Sequence, residues 1–92
     1  EEVASMQGFE LFPAFANPAN DNTRFQFRLD QTSDVTFELR DVTGKLVEVR
    51  DMGTQPAGYN SFVLETSALG AGSYTAILTV NDARTTQKLM VK

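Results

Sequence analysis

Apolar side chains in this chain recur at every second position, and that period leaves one kind of architecture open. Phe25, Phe27 and Leu29 alternate with Arg24, Gln26 and Arg28, and Val35, Phe37 and Leu39 alternate with Thr36, Glu38 and Arg40. Successive side chains of a strand point to opposite faces, so each run reads as a strand with one dry face and one wet face. Val47 and Val49 repeat the pattern against Glu48 and Arg50, and Phe62 and Leu64 repeat it around residues 61–65. Tyr74 to Val80 is nearly all apolar or β-branched, which predicts a central strand covered on both sides. A last strand from about Arg84 places Leu89 and Val91 on the buried row, with Lys88 and Lys92 flanking them. No window sustains a 3.6 period, so no helix is expected.

The breaks between runs carry turn chemistry. Asp41-Val42-Thr43-Gly44 has Asp first and Gly fourth, the preference of a type I turn closing in the left-handed region. Asn81-Asp82 separates two runs by two residues that tolerate positive φ, a short-hairpin signal. Gln55-Pro56-Ala57-Gly58 and Leu69-Gly70-Ala71-Gly72 are the other breaks. Short strands at this spacing predict an all-β, antiparallel, immunoglobulin-like Greek-key sandwich of about seven strands. Leu69-Gly70-Ala71-Gly72-Ser73-Tyr74 adds a tyrosine corner: a tight turn delivers a Tyr whose ring enters the core and whose hydroxyl bonds upstream backbone.

Composition then removes whole classes of function. The 92 residues contain no Cys and no His, so disulfides, thiolate metal sites and the commonest general base are all missing. A net charge of -4 with the basic residues spread out gives no footprint for nucleic acid. Asn17, Asn20, Asp21 and Asn22 form an oxygen-rich cluster, but with one carboxylate it reads as a strand-opening turn rather than a Ca²⁺ site. The residues therefore predict no enzyme, no metal and no cofactor. Without Trp, and with the other aromatics needed for the core, Phe9, Phe12, Phe15 and Tyr59 are what remains as possible surface groups.

The two ends differ in charge. Glu1, Glu2 and Glu10 make the first ten residues acidic, whereas Arg84, Lys88 and Lys92 stand in the last ten without an acid. Phe9 and Leu11 fit an N-terminal edge strand, with Pro13 and Pro18 interrupting any continuous ladder. The same leading stretch also fits an extended, protease-accessible joint to a preceding domain. Beginning at Glu1-Glu2-Val3, the chain is expected to be part of something longer.

Taken in order, these features resemble a known family. Asn17-Pro18-Ala19 precedes the first full strand, Asp34-Val35-Thr36 opens the next, and Asp41 to Val47 forms a hairpin around Gly44. Gly58 follows, then Leu69 to Tyr74 with Gly72, and Lys88-Leu89-Met90-Val91-Lys92 closes. The set is similar to the type A C-terminal sorting domain of type IX secretion cargo in Bacteroidetes. Departures are Ala16, where that family often has Pro, and Arg40, where it often has Tyr or Phe.

The resemblance implies an immunoglobulin-like recognition module over residues 9–92, preceded by a linker and cleavage region at 1–8. It implies a passenger carried to the periplasm, an outer-membrane translocon and shuttle protein as partners, and removal by a sortase-like peptidase with anchoring at the cell surface. Asn17, Pro18, Asp41, Gly44, Gly72, Tyr74, Lys88, Val91 and Lys92 fall in the family's patterned regions. Strand addition at the terminal strand is one mode by which a receptor would read it. The rival reading is an immunoglobulin-like spacer, adhesion or glycan-binding module, the last requiring an exposed aromatic pair near Phe12, Phe15 or Tyr59.

Overall fold

The alternating runs become strands of two sheets whose dry faces meet. A computed structural model describes residues 8–17 and 19–92. The strands are β1 (Phe9–Leu11), β2 (Asn22–Leu29), β3 (Ser33–Asp41), β4 (Leu46–Gln55), β5 (Gly58–Glu65), β6 (Gly72–Val80) and β7 (Ala83–Val91). One sheet has the order β1-β2-β5 and the other β4-β3-β6-β7, with every pairing antiparallel. The chain changes sheet between β2 and β3, β4 and β5, and β5 and β6, which makes the arrangement a Greek-key, immunoglobulin-like sandwich. Among the described residues no helix forms.

The predicted turns hold. Gly44 donates its N–H to the Asp41 carbonyl at 2.9 Å and takes φ 90°, so the β3–β4 loop is a turn closed by a left-handed glycine. Asn81 takes φ 54° in the two-residue loop between Val80 and Ala83, and its side-chain oxygen accepts the Asp34 N–H at 3.1 Å.

Aromatic packing holds the two sheets together. Phe25 on one sheet lies 5.1 Å from Phe37 on the other, and Phe62 contacts both at 5.3 and 5.0 Å. Leu29, Leu39, Leu64, Leu78 and Leu89 fill the space around them.

Three expectations need correction. Phe9, counted among the aromatics left over for the surface, is 1% exposed: β1 pairs with β2 and turns that ring inward, as the edge-strand reading of Phe9 and Leu11 expects. The outer face of β6 is not covered by another layer: Thr75 is exposed, and Ile77 reaches 6% exposure beside its cross-strand neighbours Glu38 and Thr86. Lastly, β4 reads inside out. The β3–β4 register shifts between Leu39 and Arg40 and again between Val35 and Thr36. One extra residue flips every side chain to the other face, so Val47 and Val49 are exposed while Glu48 and Arg50 turn toward the sandwich.

Candidate recognition site at the end of the last strand

Residues singled out in the sequence converge at one end of the second sheet. Gly72 is opposite Val91 and Tyr74 opposite Leu89, while Asp41 sits across from Tyr74 on the other side of β6. The Asp41–Gly44 turn thus lies at the same end as the close of β7. Tyr74 makes the expected corner: its ring is buried and its hydroxyl donates to the Gly70 carbonyl at 2.6 Å. Gly72 has φ 150° at the start of β6, a conformation that favours glycine at the end of this corner.

The Asp41 carboxylate organises its turn from within. Its Oδ1 accepts the Thr43 hydroxyl at 2.7 Å, the Thr43 N–H at 2.9 Å and the Lys45 N–H at 3.0 Å. These bonds, the Thr43 hydroxyl first, lower the Asp41 pKa below its ordinary value.

The leading segment closes the open edge of β7. Asn17 donates from Nδ2 to the Lys88 carbonyl at 3.1 Å and accepts the Met90 N–H on Oδ1 at 3.0 Å. Ala19 then bridges in parallel: its N–H donates to the Met90 carbonyl at 2.7 Å, and its carbonyl accepts the Lys92 N–H at 2.9 Å. The Asn side chain copies a backbone amide here, donating and accepting as a neighbouring strand would. Pro18, between them, lies outside the described residues. The edge from Lys88 to Lys92 is therefore filled by the chain itself, which weighs against strand addition there, the one mode of reading named from the sequence.

Gln87 was missed by reading the sequence alone. It accepts the Ala14 N–H on Oε1 and donates from Nε2 to the Phe12 carbonyl, both at 2.9 Å. Its signal was positional: a Gln in register with Leu89 and Val91 on the buried row of an edge strand has to meet polar backbone. Thr23 adds a second anchor, donating its hydroxyl to the Ala16 carbonyl at 2.7 Å.

With backbone and core atoms engaged, side chains are what this end presents. Leu89 and Val91 point inward, while Lys88, Met90 and Lys92 are exposed. Arg84 and Lys88 stand four residues apart on the outward row, and Lys92 follows at the same interval. Among the described residues none of these three cations has an acidic partner. The sequence-assigned cleavage region falls on residues 1–7, outside the described residues, and on Gly8, whose carbonyl accepts the Asp30 N–H. No group of three or more His, Cys, Asp or Glu side chains is arranged to hold a metal among the described residues.

An immunoglobulin-like sandwich tied off at its last strand defines the class. Within it, the family model described as "Secretion system C-terminal sorting domain" matches residues 11–92. The chain belongs to that family, the C-terminal sorting signal of the type IX secretion system. Its fold is similar to part of dimeric latent PorU from Porphyromonas gingivalis, with a TM-score of 0.74 and 19% identity. That match covers 90% of this chain and 9% of the PorU chain, so this chain spans a small part of its neighbour's length. No curated protein matches the sequence.

Proposed function

We propose that this domain directs a passenger N-terminal to it across the outer membrane, and that the secretion machinery reads it as a folded sandwich through the outward side chains at the end of β7. Membership of a sorting family carries export to the cell surface or to the medium and an encounter with the secretion machinery. The finer reading rests on one observation: the backbone edge of β7 is occupied by Asn17 and Ala19, while Lys88, Met90 and Lys92 face solvent. A receptor then meets two cations and a flexible apolar side chain on a rigid strand.

The partners in this reading are the outer-membrane translocon, a shuttle protein and a sortase-like peptidase that cuts within residues 1–8. The domain itself has a recognition role and no catalytic one. Passage through the periplasm precedes display on the surface.

Fusing residues 1–92 behind a periplasmically exported reporter, in a cell with a type IX system, tests the assignment. The fusion is expected on the surface, and the reporter without the domain in the periplasm. A reporter that stays in the periplasm with the folded domain attached would overturn the reading. Deleting Lys88 to Lys92 is a poor test, since it also removes Leu89 and Val91 from the core.

A further inference from the structure

The outer face of the four-stranded sheet carries its charges in two opposed halves. Side chains directly opposite one another on neighbouring strands share a face, so the register gives rows that cross the sheet. Asp51, Thr36, Thr79 and Arg84 form one row, and Val49, Glu38, Ile77 and Thr86 the next. Leu46, Arg40, Thr75 and Lys88 form a third, beside the extra residue Val47. The acids Asp34, Glu38 and Asp51 stand on β3 and β4, and the cations Arg84, Lys88 and Lys92 stand on and just after β7.

Within the acidic half, Arg40 answers Glu38 at 3.1 Å. Asp34 accepts the Thr54 hydroxyl at 2.8 Å and Asp51 accepts the Gly53 N–H at 3.1 Å, neutral donors that leave both carboxylates charged. Among the described residues neither Asp51 nor Arg84 has an ion-pair partner. Val49, Thr75 and Thr86 are exposed, so no other element of the described chain lies over the face.

We propose that two copies of this domain pair through these faces about a two-fold axis parallel to the strands, with Asp51 of each against Arg84 of the other. That axis runs between β3 and β6 and lays β4 of one copy over β7 of the other. Every contact then occurs twice, as in any isologous interface. Asp51 meets Arg84, Val49 meets Thr86 and Thr36 meets Thr79, while Ile77 meets Glu38, whose charge Arg40 answers. Lys88 lays its stem over Leu46 and Val47. A two-fold perpendicular to the strands, centred on the Ile77 row, would instead set Arg84 on Lys88. Acid on one half and base on the other is the charge pattern that a second copy complements. Four strands about 4.8 Å apart and about eight residues long give a face of about 500 Å² per copy. The total of about 1,000 Å² is at the low end for a specific interface, so the pairing is weak and reversible. It also covers Lys88, so a receptor that reads the end of β7 takes the separated chain, a consequence that rests on the proposed function.

The test follows the full chain by sedimentation and ¹H–¹⁵N spectra from about 20 µM to about 2 mM, a range that brackets a weak association. Monomer is expected at the low end, with amide shifts growing with concentration at Val49, Ile77, Thr79 and Thr86. Asp51→Arg and Arg84→Asp are each expected to weaken the pairing about a hundredfold, about tenfold at each of two symmetric contacts. The two substitutions together are expected to restore it, because the swap keeps opposite charges opposed. Each single variant is expected to keep the folded spectrum, and Asp51→Arg to keep reporter display at the parent level. The inference is overturned by a chain that stays monomeric at about 2 mM, or by concentration-dependent shifts confined to the three-stranded sheet. A charge swap that fails to restore pairing overturns it as well. Loss of display in folded Asp51→Arg would also overturn it, since that corner of the face would then meet the secretion machinery.

Discussion

The sandwich has two seams, and they are closed by different means. Where β1 faces β7, residues 12–17 and Ala19 bond to both sheets, through Phe15 to β2 and through Asn17 and Ala19 to β7. Where β4 faces β5, one side chain spans the gap. Arg50 donates to the Val63 carbonyl at 3.1 Å, pairs with Glu48 at 2.9 Å and lies 5.5 Å from the centre of the Phe62 ring. The first seam leaves an edge strand whose backbone has partners from the Lys88 carbonyl to the Lys92 N–H. The second leaves an edge strand blunted by two register shifts, with Val47 and Val49 toward water. The difference teaches that the end of β7 is the better anchored margin, and so the one suited to present fixed side chains.

Substitutions on the two edge strands break or sharpen this contrast. The largest effect is expected from Leu89→Ala, about 3 kcal/mol in urea unfolding, because Leu89 is fully buried. Met52→Ala on the opposite edge is expected to cost about 1 kcal/mol, as Met52 is only half-buried. Equal losses would remove the asymmetry. Next comes Tyr74→Phe, expected to cost about 1 kcal/mol by stranding the Gly70 carbonyl.

Asn17→Ala and Arg50→Ala are each expected to cost about 1 kcal/mol, with different signatures. Hydrogen exchange separates them: Asn17→Ala should speed the Met90 amide, and Arg50→Ala should leave it unchanged. Smallest is the pH effect of Asp41. Its folded pKa lies below the ordinary 3.8, so its stabilisation is full above the unfolded value and is lost as pH falls through the folded one. Asp41→Asn should therefore flatten the acid limb of the stability curve below about pH 4, read by thermal unfolding at stepped pH.

Much of this was legible because strand period and turn chemistry are local. Phe25, Phe37 and Leu89 were placed inward by alternation alone, and Gly44, Asn81 and Tyr74 by the backbone geometry their turns demand. What the sequence could not show depends on register. The bulges in β4 reverse the faces of Val49 and Arg50, yet alternation reads the same either way. Phe9 looked spare until β1 paired with β2. The closing of β7 by Asn17 joins positions whose separation along the chain is 73 residues, and no local pattern encodes that contact.

The most direct test of the central claim is reporter display by the variant Arg84→Glu, Lys88→Glu, Lys92→Glu. These side chains make no core contact, so the variant should unfold at the same denaturant concentration as the parent. The account predicts a folded domain that no longer reaches the surface, while Asn17→Ala, with its cations intact, still does. Surface display of the folded charge-reversed domain at the parent level would contradict it.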